Sequence, residues 1–194
     1  MNTREFKCAS ILTDMTENYG LIGIKTSFED EGATFNEVIR LKEICNQAKT
    51  KLTLKIGGPE ASRDIQDSAI IGVKGLVAPM VESGFGLSKF IGSVNTNLTK
   101  DIIDSLELIV NIETIQAYKN IDEILNVKES KELYAITVGR VDFVSSMGKD
   151  RSFVNSLEML SMVKEIFTKA KNKGLTVNLG GAVTVDSFKF LNEL

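Results

Sequence analysis

The chain has 194 residues but no histidine and no tryptophan, and only two cysteines and two prolines. Without histidine there can be no Ser-His-Asp triad, no histidine-ligated zinc site and no histidine general base. Any chemistry must rest on carboxylate, lysine, arginine, tyrosine, thiol, backbone groups or metal-bound water. The missing tryptophan excludes little. Cys8 and Cys45 match no zinc or redox spacing and read as buried thiols, with a reducing cytoplasm as the expected compartment. No apolar run reaches the roughly 18 residues that a membrane span needs, and Met1 to Phe6 is polar, unlike a signal peptide. Twenty-three Lys and Arg stand against 26 Asp and Glu, giving a net charge of −3 with both signs mixed along the chain. That balance argues against a basic nucleic-acid footprint. Linkers rich in Pro, Gly or Ser and low-complexity tracts are also missing, so residues 1–194 read as a single domain.

What is present is ordinary for a globular protein: 43% hydrophobic and 25% charged residues. From about Gly20 onward, strand-like apolar runs alternate with amphipathic stretches. The expected strands are Leu21–Lys25, Leu52–Ile56, Gly75–Val81, Leu108–Ile112, Tyr134–Val138 and Leu175–Leu179. Helices are expected over Thr34–Lys49 (Thr34 and Glu37 forming a capping box), Glu60–Ile70, around Leu87–Ile91, Ile115–Asn126 and Ser152–Lys173, with another starting at Val185. Arg4 to Tyr19 reads as an extra strand or an N-terminal cover. Ser93 to Asp104 is polar and hard to place.

Six βα units imply a parallel sheet with right-handed crossovers. Two architectures fit, an open doubly wound sheet and a parallel (β/α)8 TIM-type barrel. A complete barrel needs about 250 residues. The chain would then be incomplete at its C-terminus and two strands short. Leu194 falls inside an apparent helix. The expectation is therefore a piece of a longer protein or a homo-oligomer whose neighbour covers an open parallel edge.

In parallel α/β folds the C-terminal strand ends form the active-site face. Those positions carry Lys25 and Phe28-Glu29-Asp30-Glu31, then Lys55 and Gly57-Gly58-Pro59-Glu60, then Glu82-Ser83. Further on come Asn111 and Glu113, then Gly139, Arg140 and Asp142, then Asn178 and Gly180-Gly181. Each has a structural explanation. Glu29 to Glu31 fits a solvated run, and Glu60 and Asp64 fit first-turn acids at a helix start. Lys55 fits a snorkelling strand residue, Glu113 a helix cap and Asp142 a turn aspartate. Convergence at one rim is harder to explain by stability, because buried charge is costly unless paired or metal-bound. Glu113 and Asp142, from successive strand ends, suit one hard divalent cation. Lys55 and Arg140 add positive charge for an acidic substrate, and Glu82 is placed to orient Lys55 or a metal-bound water.

Three segments carry a family resemblance. They are Pro79-Met80-Val81-Glu82-Ser83, then Asn111-Ile112-Glu113-Thr114 leading to Asn120-Ile121-Asp122-Glu123-Ile124, then Gly139-Arg140-Val141-Asp142-Phe143-Val144-Ser145-Ser146-Met147-Gly148. In this order and at these separations they resemble the HpcH/HpaI aldolase/citrate lyase family, over about Leu52 to Gly148. The resemblance implies a pyruvate/phosphoenolpyruvate-type barrel, usually oligomeric. It also implies Mg2+ or Mn2+ held by Glu113 and Asp142, and carbon–carbon bond cleavage or formation beside an enolate of a 2-oxo acid or acyl-CoA. Backbone N–H groups near Arg140, Val141 and Asp142 would hold the substrate carboxylate, with Gly139, Asn111 and Glu60 lining its place.

The chain departs from the family pattern in three respects, one being that Lys55-Ile56-Gly57-Gly58-Pro59-Glu60-Ala61 with Lys25-Thr26-Ser27-Phe28-Glu29 looks like a divergent subgroup. Lys55 stands where the family has an arginine, giving the charge without the planar fork. The histidine base of the aldolase branch has no counterpart, whereas the citrate-lyase-like branch does not depend on it. The favoured reading is a metal-dependent carbon–carbon lyase acting on a small acidic metabolite. The alternative is a non-catalytic barrel that binds such a metabolite or serves as a partner subunit. A phosphate-binding open sheet has only Gly57-Gly58 and Gly180-Gly181 in its favour, and neither is a phosphate-loop fingerprint.

Overall fold

The protein is described by a computed structural model covering residues 1–194. Its contacts divide the chain into two compact units, Met1–Val77 with Ser93–Glu107, and Ala78–Gly92 with Leu108–Leu194. Both are built from parallel strands and helices.

In the first unit, β1 (Gly23–Ser27), β2 (Lys51–Lys55) and β3 (Gly75–Ala78, whose last residue belongs to the second unit) pair in parallel and in chain order, with Ser27 opposite Lys55 and Lys55 opposite Val77. Parallel neighbours need a crossover. Here the crossovers are α2 (Phe35–Gln47) and α3 (Ser62–Ile71). Thr34 caps α2 as its sequence predicts: its hydroxyl accepts from the Glu37 amide and the Glu37 side chain returns to the Thr34 amide. Such a box contributes about 1 kcal/mol. Val38, Cys45, Leu52, Leu54, Ile71 and Val73 form the buried cluster between this helix layer and the strands.

Arg4 to Tyr19 is neither a strand nor an irregular cover but a helix, α1 (Thr3–Tyr19). An Asn2–Glu5 capping box starts it and Gly20, in the left-handed conformation, ends it. It packs on α2 but buries only Ala9 fully, which is why its apolar periodicity is faint in the sequence.

In the second unit, β4 (Glu107–Ile112, whose first residue belongs to the first unit), β5 (Ala135–Gly139) and β6 (Thr176–Gly180) are likewise parallel and in chain order. The polar stretch after Ser93 continues α4 (Gly84–Asn97) and forms the short α5 (Lys100–Ile103). The single helix expected over Ile115–Asn126 is two, α6 (Ile115–Lys119) and α7 (Ile121–Asn126). They break at Asn120, whose side chain donates to the Glu82 carbonyl at 2.7 Å. The segment after β5, read as loop, is a helix, α8 (Arg140–Ser146).

The helix expected from Ser152 begins later. A 3-10 turn covers Arg151–Asn155, Ser156 is extended and caps the Met159 amide, and α9 runs Leu157–Lys171. After β6, a 3-10 turn (Val185–Ser187) leads into α10 (Phe188–Asn192). The result is an α/β fold with six parallel strands. Of the two cysteines, Cys45 is buried as expected, while Cys8 is exposed on α1.

Candidate active site

The second unit brings together most of the residues singled out in the sequence. Glu113 follows the last residue of β4 and is only 3% exposed. Its Oε1 accepts from the Met80 amide at 3.0 Å and its Oε2 from Asn111 Nδ2 at 2.9 Å. Asn111 points into the same buried place because it lies two residues earlier on β4, on the same face. Its Oδ1 is buried and has no hydrogen-bond partner. An orphaned buried carbonyl oxygen is costly, and it lies in the side chain whose amide group holds Glu113.

Gly139 closes the other side. It caps α8, and a Cβ built on it would come within 2.6 Å of Glu113 Oε2 and 2.9 Å of Glu113 Cβ. The Glu113 carboxylate therefore lies directly over the end of β5. Asp142, three residues on, sits in the first turn of α8 with its side chain exposed to solvent. Val141 is half-buried between them.

Met80 was not a candidate in the sequence. It follows Pro79 after β3 and has φ +53, a left-handed conformation uncommon for a residue with a side chain. That twist accompanies the aim of its amide at Glu113. Glu82, close by in the chain, is exposed, and its Oε1 accepts from the Thr114 hydroxyl at 2.7 Å. Thr114 in turn caps α6 by accepting from the Ala117 amide at 3.0 Å. Glu82 is thus tied to the residue next to Glu113 and to the start of α6.

Arg140 does not offer its charge to solvent. Its side chain is wholly buried, and burial pulls its guanidinium below the usual arginine range. All five N–H donors of the fork are taken. Nε reaches the Gly180 carbonyl at 3.3 Å, Nη1 the Val154 carbonyl at 3.2 Å and Asn155 Oδ1 at 2.7 Å, and Nη2 the Gly181 carbonyl at 2.8 Å and Ser187 Oγ at 3.5 Å. The Phe190 ring lies 4.8 Å away and adds a cation–π contact.

Lys55 and Glu60 belong to the first unit. Lys55, the last residue of β2, is buried, and its ammonium pairs with the Asp30 carboxylate. Asp30 is placed by its own amide, which donates to Ser27 Oγ at 3.1 Å. Glu60 is exposed in the turn before α3, where its carbonyl accepts from the Ser62 amide at 2.7 Å. Nearby, the Gly57 amide donates to Asp64 Oδ2 at 2.8 Å.

No group of three or more Asp, Glu, Cys or His side chains is arranged to hold a metal. The donors that are present, the Glu113 and Asp142 carboxylates and the orphaned Asn111 Oδ1, are all oxygens. They suit a hard cation that takes its remaining ligands from substrate and water.

Solved structures share this parallel α/β fold. An HpcH/HpaI aldolase from Desulfitobacterium hafniense DCB-2 superposes with a TM-score of 0.76 at 17% identity, over 95% of this chain and 78% of that one. An HpcH/HpaI aldolase/citrate lyase family protein from Burkholderia cenocepacia J2315 gives 0.78 at 11% identity, over 97% and 80%. The citrate synthase SbnG gives 0.78 at 16% identity, over 97% and 78%. Residues 37–186 match the HpcH/HpaI aldolase/citrate lyase family, and the chain belongs to that family. No curated protein sequence matches it.

Proposed function

We propose that the protein is a carbon–carbon lyase that uses a divalent cation, Mg2+ or Mn2+, and acts on a 2-oxo acid or acyl-CoA-type substrate. Family membership supports lyase-type chemistry. The observation that carries the metal-site reading is the buried Glu113 carboxylate, held by two N–H donors beside an amide oxygen with no partner of its own. Glu113 and Asp142 would hold the cation. When bound, it supplies positive charge against the negative charge that develops on a substrate oxygen during carbon–carbon cleavage.

The chain's own groups do the rest. Met80 and Asn111 fix the orientation of the Glu113 carboxylate. Gly139 leaves the space that the carboxylate occupies. The burial of Glu113 and Asn111 keeps water from their polar atoms, which strengthens their electrostatic interactions.

A second reading, an acidic-metabolite binder without turnover, is favoured by two observations: the Lys55 ammonium is already paired and every Arg140 donor is occupied. Calorimetric titration with oxalate and Mg2+, alongside a turnover assay on pyruvate or oxaloacetate with an aldehyde, separates the two. Metal-dependent turnover that is lost in Glu113→Gln supports the lyase. Tight oxalate binding with no turnover supports the binder.

A further inference from the structure

The residues around Arg140 form a device that the lyase reading does not use. A buried guanidinium usually meets a carboxylate, because an unneutralised buried charge is costly. Arg140 meets neutral oxygens only. They come from three separate pieces of chain: the end of β6 and the turn it enters (Gly180 and Gly181), the 3-10 turn before α9 (Val154 and Asn155) and the 3-10 turn before α10 (Ser187).

Gly181 shows what this arrangement achieves. It has φ +78, and a Cβ on it would lie 2.7 Å from the Val141 nitrogen and 2.8 Å from the Arg140 nitrogen. Those contacts are backbone atoms that cannot swing aside. The Gly180–Gly181 turn therefore rests directly on the first two amides of α8. Arg140 supplies both ends of this closure: its backbone is the floor, and its side chain grips the Gly180 and Gly181 carbonyls from the far side. Asp142 is one residue beyond the covered amides.

We propose that Arg140 is a positioning residue rather than a substrate ligand, fastening the Gly180–Gly181 turn over the start of α8. The amides of Arg140 and Val141 stay covered while the turn is held. Lifting the turn breaks the two bonds from Arg140 to Gly180 and Gly181. Because the fastening exists without ligand or metal, it can be tested without the lyase reading.

Hydrogen–deuterium exchange on the ligand-free chain reads the turn directly. Three variants serve, Arg140→Met, Arg140→Lys and Gly181→Ala, each compared with the wild type over the peptides spanning 176–190. Charged hydrogen bonds of this kind are each worth enough to change local opening by about tenfold or more. Arg140→Met is expected to speed exchange there by about tenfold or more while leaving β1 and β2 unchanged. Arg140→Lys, with three donors and no fork, is expected to fall between. Gly181→Ala is expected to loosen the same segment with Arg140 intact. Arg140→Lys and Gly181→Ala carry the test if Arg140→Met does not fold. Oxalate titration with Mg2+ supplies a second readout: affinity is kept in Arg140→Lys, where a substrate ligand would lose it. Exchange over 176–190 within twofold of wild type in both Arg140→Lys and Gly181→Ala would overturn the proposal. So would loss of oxalate binding in Arg140→Lys with the turn's exchange unchanged, which would make Arg140 a substrate ligand.

Discussion

At the scale of single residues, the site depends on how one carboxylate is kept in a buried place. Glu113 has the Met80 amide on one oxygen and the Asn111 amide group on the other, with Gly139 beneath it. A Gly139→Ala change puts a methyl group 2.6 Å from Oε2, so the carboxylate must move. The expected result is a loss of roughly 1–3 kcal/mol from overpacking and weaker Mn2+ binding, read by thermal melts and metal titration. An unchanged melt would show that Glu113 has room to shift.

Much of this was legible in the residues: Asn111, Glu113, Gly139 and Asp142 stand at strand ends where the alternation of runs places them. Two things were not. Met80 contributes through its backbone, which a sequence pattern does not display. Arg140 reads as a substrate cation because it lies in a motif with Asp142, yet its partners are mostly backbone carbonyls 14 to 41 residues away.

At the scale of elements, local signals served where a helix is held by its own cap and failed where tertiary contacts decide. Thr34 with Glu37 marks α2, and its range differs little from the expected one. The division between α6 and α7 depends instead on Asn120 reaching Glu82, a contact between distant positions. Likewise, just beyond the early end of β3, the left-handed Met80 donates its amide to Glu113, 33 residues away.

The pairing of α6 and α7 with α9 has a pH signature. The Tyr118 hydroxyl donates to Glu165 Oε2 at 2.6 Å, and Lys169 bridges Glu165 at 2.9 Å and Asp122 at 2.8 Å. The Tyr118 hydroxyl and then Lys169 hold the Glu165 carboxyl below its ordinary value of 4.5, and Asp122 and Glu165 hold Lys169 above its ordinary 10.5. The Glu165 contribution is present above pH 4.5 and is lost as pH falls through its lowered value. The Lys169 contribution is present below pH 10.5 and is lost as pH rises through its raised value. Glu165→Gln should therefore lower the melting temperature at neutral pH and flatten its acid-side fall. These groups are largely exposed, so the effect is small and shrinks in salt. A difference that persists undiminished well below the lowered Glu165 value would contradict the assignment.

At the scale of the whole molecule, the family match runs from residue 37 to 186 and so takes in parts of both units. Identities of 11 to 17% to solved relatives accompany TM-scores of 0.76 to 0.78. Parallel strand order with intervening helices is encoded by patterning, which tolerates wide substitution, and that is why the strand–helix alternation was readable. The six parallel strands that the alternation predicts are all present. Self-association remains our proposal, drawn from the open parallel edge that the patterning implies. Light scattering on the eluted protein is expected to give a multiple of 21.3 kDa, and a clean 21.3 kDa monomer would count against it.

The measurement closest to the central claim is an electron paramagnetic resonance titration of Mn2+ into the wild type, Glu113→Gln and Asp142→Asn, with oxalate present and absent. The account predicts a single bound Mn2+ in the wild type, tightened by oxalate, with affinity reduced about tenfold or more in each variant while the melts stay cooperative. Equal Mn2+ affinity in all three proteins would contradict it.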